Sequence, residues 1–220
     1  MQTACLIIIG NEILSGRTQD KNLAWLANQL NDAGIRLMEV RVIPDIEKQI
    51  IDTINACRKQ FTYVFTTGGI GPTHDDITSE CIAKAFRLPF EQHAEAAAIL
   101  KKHYGDQINE ARLSMADMPR GVRLIYNPVS AAPGFVVENV YVMAGVPSIM
   151  QAMFLSIRHE LKGGEKMHSH TLAAFVTEGV IADGLTRIQD KYPSVEIGSY
   201  PFFRNQKLGT SLVTRATDKL

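Results

Sequence analysis

Short apolar runs alternate with helical patterns at the start of the chain, and this alternation limits the possible folds more than any other feature. Strands are predicted at residues 3–9, 36–43 and 61–67, and an amphipathic helix lies in each interval. The run TACLIII is continuously apolar and ends at Gly10, which is typical of a strand buried on both faces. The alternation predicts an α/β fold with a largely parallel sheet covered by helices.

The pattern changes beyond residue 78. Residues 79–86 predict a further helix, and residues 91–118 read as mostly helical. A strand at VRLIYN is followed by GFVVENVYVMAG, which predicts a hairpin with Glu138 and Asn139 in its turn. Pro147 suits the first turn of the next helix.

The segment KGGEKMHSH marks a shift in composition and predicts a domain boundary. The main domain would cover residues 1–161, and residues 162–220 would form a small β-α-β-β domain. About fifty residues are few for independent stability, so we expect this domain to pack on the main domain or on another subunit.

Bulk composition excludes several classes of protein. The formal net charge is zero, which makes nucleic acid an unexpected partner, and no apolar run is long enough to cross a membrane. The start of the chain does not resemble a signal peptide. The three cysteines are widely spaced, as expected for buried reduced thiols in a cytoplasmic protein.

The stretch TTGGIGPTHDDIT is the main candidate for chemistry. Its glycines follow a predicted strand, and in open α/β sheets ligands bind at that carboxyl edge. Backbone amides of Gly68, Gly69 and Gly71, beside Pro72 and Thr73, would hold a phosphate. A tight strand-to-helix turn explains the glycines equally well.

Two adjacent carboxylates, Asp75 and Asp76, follow these glycines. Asp or Thr78 would cap the next helix, but capping needs only one such residue. Two carboxylates beside a phosphate are costly without a cation, so this pair is a candidate metal or acid/base site. Asp45 follows another strand and is either a helix cap or a member of the same site.

Further candidates follow other predicted strands and would reach the same edge of the sheet. Ser148 would either cap its helix or donate to a phosphate. The predicted ligand residues outside the glycine-aspartate stretch are Gly10, Asn11, Glu12, Gly134, Gly145, Pro147 and Ser148.

Four stretches resemble the competence/damage-inducible protein A (CinA) family in order and approximate spacing. They are GNEILSGRTQDKN, TTGGIGPTHDDIT, NPVSAAPGF and AGVPSIM, and the resemblance covers about residues 3–161. It implies the three-layer α/β/α molybdopterin-binding fold, followed by a small KH-like domain. Met143 and Ala144 depart from the Leu-Pro of many relatives. The tail lacks the G-x-x-G loop by which KH domains hold nucleic acid.

The resemblance also implies an activity. CinA proteins hydrolyse the pyrophosphate of ADP-ribose with a divalent metal, and a related domain of FAD synthase hydrolyses FAD. Asp45 and Asp76 match functional aspartates of the related molybdopterin adenylyltransferases. We therefore expect a metal-dependent nucleotide pyrophosphatase that uses Mg²⁺, Mn²⁺ or Co²⁺ and forms a homo-oligomer. The alternative is a molybdopterin-binding protein or adenylyltransferase. The nicotinamide-mononucleotide deamidase activity of longer members is not expected.

Overall fold

The computed structural model describes residues 2–217, which divide into two compact units between Gly164 and Glu165. The boundary predicted from the sequence lies between Leu161 and Lys162. The strands of the first unit are β1 (Gln2–Ile9), β2 (Ile35–Ile43), β3 (Tyr63–Thr67), β4 (Phe90–Gln92), β5 (Asp117–Pro119), β6 (Arg123–Ile125), β7 (Gly134–Val137) and β8 (Val140–Met143). Its helices are α1 (Asn11–Leu14), α2 (Asn22–Asp32), α3 (Glu47–Gln60), α4 (Thr78–Phe86), α5 (Ala94–Tyr104), α6 (Glu110–Leu113) and α7 (Pro147–Ile157).

The main sheet has the order β2-β1-β3-β8-β7-β6. The four strands from β2 to β8 run parallel, whereas β7 is antiparallel to β8 and β6 is antiparallel to β7. Strands β7 and β8 form the predicted hairpin, whose turn contains Glu138 at φ 49°. The carboxyl ends of β1, β2, β3 and β8 therefore lie at one edge of the sheet.

Strand β1 shows why its sequence is continuously apolar. Cys5, Ile7 and Ile9 point into a core that also contains residues of α3, α4 and α5. Ala4, Leu6 and Ile8 point to the opposite face and pack with α2 and α7. Successive side chains of a strand alternate between faces, so a strand between two helical layers must be apolar throughout. This arrangement confirms the α/β/α architecture.

Residues 91–118 are mostly helical, as predicted, since they contain α5, α6 and two short 3₁₀ turns. The short strands β4 and β5, which pair with each other on either side of these helices, were not predicted. The segment after β1, predicted as loop, contains the one-turn helix α1. The three cysteines are buried free thiols, as predicted.

The second unit contains β9 (His168–Ala174), α8 (Glu178–Lys191), β10 (Glu196–Arg204) and β11 (Lys207–Ala216). Its strands form an antiparallel sheet with the order β10-β11-β9. This is the predicted β-α-β-β order.

Candidate functional site

Three glycines form a tightly packed floor at the carboxyl edge of the sheet. Gly10, Gly68 and Gly145 follow β1, β3 and β8. Gly68 has φ +103°, and a Cβ there would overlap the carbonyl oxygen of Ile9. A Cβ on Gly145 would lie 3.3 Å from the Cα of Gly68. At position 68 only a residue without a side chain permits this approach, and it leaves the backbone open to a ligand.

The next glycine packs against the start of α4. Gly69 has φ +68°, and a Cβ there would overlap the Thr78 hydroxyl. The Thr78 N–H donates to the Gly69 carbonyl over 2.9 Å. The prediction that Thr78 caps the helix was wrong, because Thr78 is its first residue and its buried Oγ1 has no hydrogen-bond partner.

Asp76 folds back beneath the glycine loop. Its Oδ2 accepts a hydrogen bond from the Thr73 N–H over 2.9 Å and lies 2.6 Å from the Thr73 hydroxyl. A Cβ on Gly71 would lie 2.6 Å from the same carboxylate oxygen. Asp76 therefore shapes the loop and also adds a negative charge to it, and a side chain at position 71 would meet the Asp76 carboxylate.

Thr73 also contacts the second carboxylate. Its hydroxyl lies 2.6 Å from Asp75 Oδ1, so both carboxylates crowd one hydroxyl. A hydroxyl has one proton to donate and can satisfy only one of two acceptors. The hydrogen bond from Thr73 holds the pKa of the Asp75 carboxyl below its usual range. The Asp76 carboxylate then faces the Thr73 hydroxyl oxygen with no proton between the two oxygens, unless a cation or an added proton lies there.

Asp45 belongs to a neighbouring part of the edge. Its Oδ2 accepts the Asn11 N–H over 2.9 Å and so ties the loop after β2 to α1. Glu12 lies beside Gly10, since a Cβ on Gly10 would lie 2.5 Å from its Oε2. Strand β1 separates β2 from β3, so the loops of Asp45 and Gly68 are about 10 Å apart by strand spacing. The contacts thus form two groups, one around Asp45 and one around Thr73.

The remaining candidates lie on the far side of the glycine floor. Gly134 begins β7, and a Cβ there would overlap the Val142 carbonyl, which gives this glycine a packing reason. Pro147 begins α7 as predicted. Ser148 is exposed in the first turn of α7, and the N-cap residue Val146 makes no side-chain capping bond.

Sequence reasoning missed two asparagines. Asn22 is 3 % exposed, and its Nδ2 donates to the Gly145 carbonyl over 2.7 Å, which ties α2 to the floor. Asn127 organises the loop after β6, because its side chain bonds Val129, Ser130 and Ala132. The sequence signal for both residues is a polar side chain just inside or beside an apolar segment. Helix caps and turns show the same signal, so a single sequence does not distinguish the two cases.

Unpartnered buried polar atoms concentrate around the same floor. In the described part of the chain they are Oδ1 of Asn22 and Oγ1 of Thr66, Thr67 and Thr78. Thr66 and Thr67 end β3, and the other two contact Gly145 and Gly69. Buried polar groups normally have partners, and exceptions mark places where water or a bound group completes the structure.

The donor set limits how a metal would bind. Within residues 2–217 no group of three or more His, Cys, Asp or Glu side chains is arranged to hold an ion. Mg²⁺ is often held by one or two carboxylates, with phosphate and water completing its shell. Asp75 and Asp76 fit an ion that arrives with a phosphate ligand, not a site complete without one.

Comparisons with known proteins agree with this geometry. A family model described as "Probable molybdopterin binding domain" matches residues 5–162, and one described as "FAD synthase, middle domain" matches residues 166–220. A solved structure of CinA from Thermoplasma acidophilum is 34% identical, with a TM-score of 0.68 over 72% of this chain and 97% of that one.

Two curated relatives are also similar. A protein from Archaeoglobus fulgidus is 38% identical over 89% of this chain and 84% of its own length. A CinA-like protein from Sulfurihydrogenibium is 34% identical over 74% of this chain and 43% of its own length. No helix in residues 2–217 combines the length and apolar character needed to cross a membrane.

Proposed function

Because the chain belongs to the CinA family and its first unit is a molybdopterin-binding-like domain, we propose that it is a metal-dependent nucleotide pyrophosphatase. Its substrates would be ADP-ribose or FAD-like dinucleotides. The match of residues 166–220 to a domain of FAD synthase supports a dinucleotide substrate.

The arrangement around Thr73 is the observation that carries this proposal. Two carboxylates lie 2.6 Å from one hydroxyl, directly beside a loop of glycines at the ligand-binding edge of the sheet. A divalent cation between the carboxylates and a phosphate would relieve this concentration of negative charge.

Different residues of this chain would bind the phosphate, hold the ion and accept the proton. Amides of the glycine loop would hold one phosphate of the pyrophosphate by direct hydrogen bonds. Asp75 and Asp76 would hold the ion, which would neutralise charge as the bridging P–O bond breaks. Water supplies the new P–O bond and two phosphomonoesters leave. Asp45, fixed by Asn11, would accept the proton of the attacking water.

Hydrolysis of ADP-ribose and FAD with Mg²⁺, Mn²⁺ or Co²⁺ tests the proposal, with AMP release as the readout. We expect Asp75→Asn and Asp76→Asn each to lower kcat about 100-fold or more. Asn at position 76 can still accept the Thr73 N–H, so the loop keeps its shape and only the charge is lost. Asp106→Asn, an exposed change in the turn after α5, is the matched control. Absence of AMP release with every metal, or release unchanged by both variants, would refute the proposal.

The match to a molybdopterin-binding domain favours a second candidate function. A molybdopterin-binding protein or adenylyltransferase would bind the pterin tightly and, with ATP, would adenylate it. Fluorescence titration with molybdopterin separates the two, because a pyrophosphatase requires no pterin affinity. The predicted homo-oligomer would be measured on the same preparation by light scattering.

A further inference from the structure

We propose, as a deepening of the proposed pyrophosphatase function, that a cavity beside the glycine-aspartate loop binds the base of the nucleotide and that Asp117 selects bases carrying an amino group. The cavity has a volume of about 200 Å³. Gly71, Thr73 and Asp76 line one side, and Phe90, Met115 and Asp117 line the other. It therefore adjoins the loop that would hold the phosphate.

The size and walls of the cavity suit a single flat ring system. Whole-ligand pockets measure about 300–1,000 Å³, so this one takes part of a dinucleotide. Ile70, Ile77 and Met115 supply apolar wall and are anchored in the core. Phe90 is 42% exposed, which leaves its ring available for stacking against a base.

The negative charge of the cavity determines which hydrogen-bonding groups a bound ring must carry. Asp76, Glu80 and Asp117 line it, and neither lysine nor arginine is among the lining residues. Glu80 is paired with Lys84 over 2.9 Å, whereas within residues 2–217 no ion pair involves Asp117. An anion would be repelled, and a ring with N–H donors would satisfy the unpaired carboxylate.

Asp117 is built to make such a contact. It begins β5 and pairs in register with Gln92 of β4, whose side chain is its hydrogen-bond partner. A carboxylate held in place by a pair of strands discriminates between ligands more sharply than one on a mobile loop. The described residues offer no three-ligand metal arrangement here, so an organic donor is the better match.

Calorimetric titration with three mononucleotides tests the inference on the full chain. AMP carries the amino group, purine riboside 5′-monophosphate lacks it, and IMP carries a carbonyl oxygen in its place. We expect AMP to bind about tenfold more tightly than the purine compound, with IMP weaker still. Asp117→Asn should remove most of the preference for AMP over IMP, because an amide can donate to the carbonyl. Asp106→Asn should keep the preference, and circular dichroism of both variants checks folding.

The outcomes separate this inference from the proposed function. Equal binding of AMP and IMP, no binding of any of the three, or a preference that survives in Asp117→Asn would overturn the inference. Metal-dependent release of AMP could still be present in those cases. Conversely, selective binding of AMP that depends on Asp117, without hydrolysis, would support the base subsite and refute the pyrophosphatase.

Discussion

The hydrogen bond from Asn22 to Gly145 leads to a prediction that can be worked out from the structure. The side chain is 3 % exposed, and its Nδ2 donates to the Gly145 carbonyl over 2.7 Å. Asn22→Ala removes this hydrogen bond from the carbonyl of Gly145, an exposed residue, which costs about 0.5–1.5 kcal/mol. The change also removes the unpartnered Oδ1. We therefore expect a net loss of about 1 kcal/mol in the free energy of unfolding.

Asn22→Asp is the sharper variant because it keeps the shape of the side chain. At neutral pH a carboxylate oxygen replaces the donor and faces the Gly145 carbonyl, and it is buried without a partner. Its position in the first turn of α2 regains only about 0.3–1 kcal/mol from the helix dipole. We expect a loss of about 3 kcal/mol or more at pH 7, larger than for Asn22→Ala.

The pH dependence of Asn22→Asp has a defined sign. Burial raises the pKa of the introduced carboxyl in the folded state, so the folded protein holds the proton more tightly than the unfolded chain. The contribution of this carboxyl to stability is therefore fully present below the pKa it has in the unfolded chain. It is lost as the pH rises through the pKa it has in the folded protein. The protonated carboxyl can also donate to Gly145, so the variant should recover at about pH 4 relative to wild type.

Trp25 makes the measurement specific to the first unit. It is the single tryptophan of the chain, lies in α2, and packs edge-on against Phe154 with ring centroids 5.6 Å apart. Urea unfolding followed by tryptophan fluorescence at pH 7 and pH 4 therefore reports on the unit that contains Asn22. If Asn22→Asp is as stable as Asn22→Ala at pH 7, or gains nothing at pH 4, the bond to Gly145 does not hold this turn.

Two further predictions follow from the site. Gly68→Ala should lower the free energy of unfolding by several kcal/mol and Gly121→Ala by only about 1 kcal/mol. Both glycines have a positive φ, but only a Cβ on Gly68 would overlap the Ile9 carbonyl. Thermal unfolding compares the two variants, and equal losses would contradict the close packing at Gly68. Burial raises the pKa of Asp117, so its contribution to stability is lost as the pH rises through the folded pKa. Asp117→Asn should therefore be more stable than wild type at pH 7, with the advantage shrinking below about pH 4; an advantage that is independent of pH would contradict burial as the cause.

Local patterns predicted the elements whose burial follows a simple period. The apolar run of β1 predicted a strand between two layers, and α2 and α3 showed one apolar stripe each. The glycine-aspartate stretch was found from the sequence because its residue types are unusual together. The β4–β5 pair was missed, since three-residue strands 25 residues apart carry too little periodicity to be distinguished from the helices between them.

The sequence by itself determined the α/β architecture, the second small unit and the glycine-aspartate loop, because strand and helix periods and glycine clusters are local properties of the chain. The tertiary structure decided which polar side chains act together. It placed Asp45 with Asn11, gathered Asp75 and Asp76 around Thr73, and left Thr78 buried without its expected capping role. These pairings depend on strand order and loop closure, which bring distant residues together and which no local period encodes.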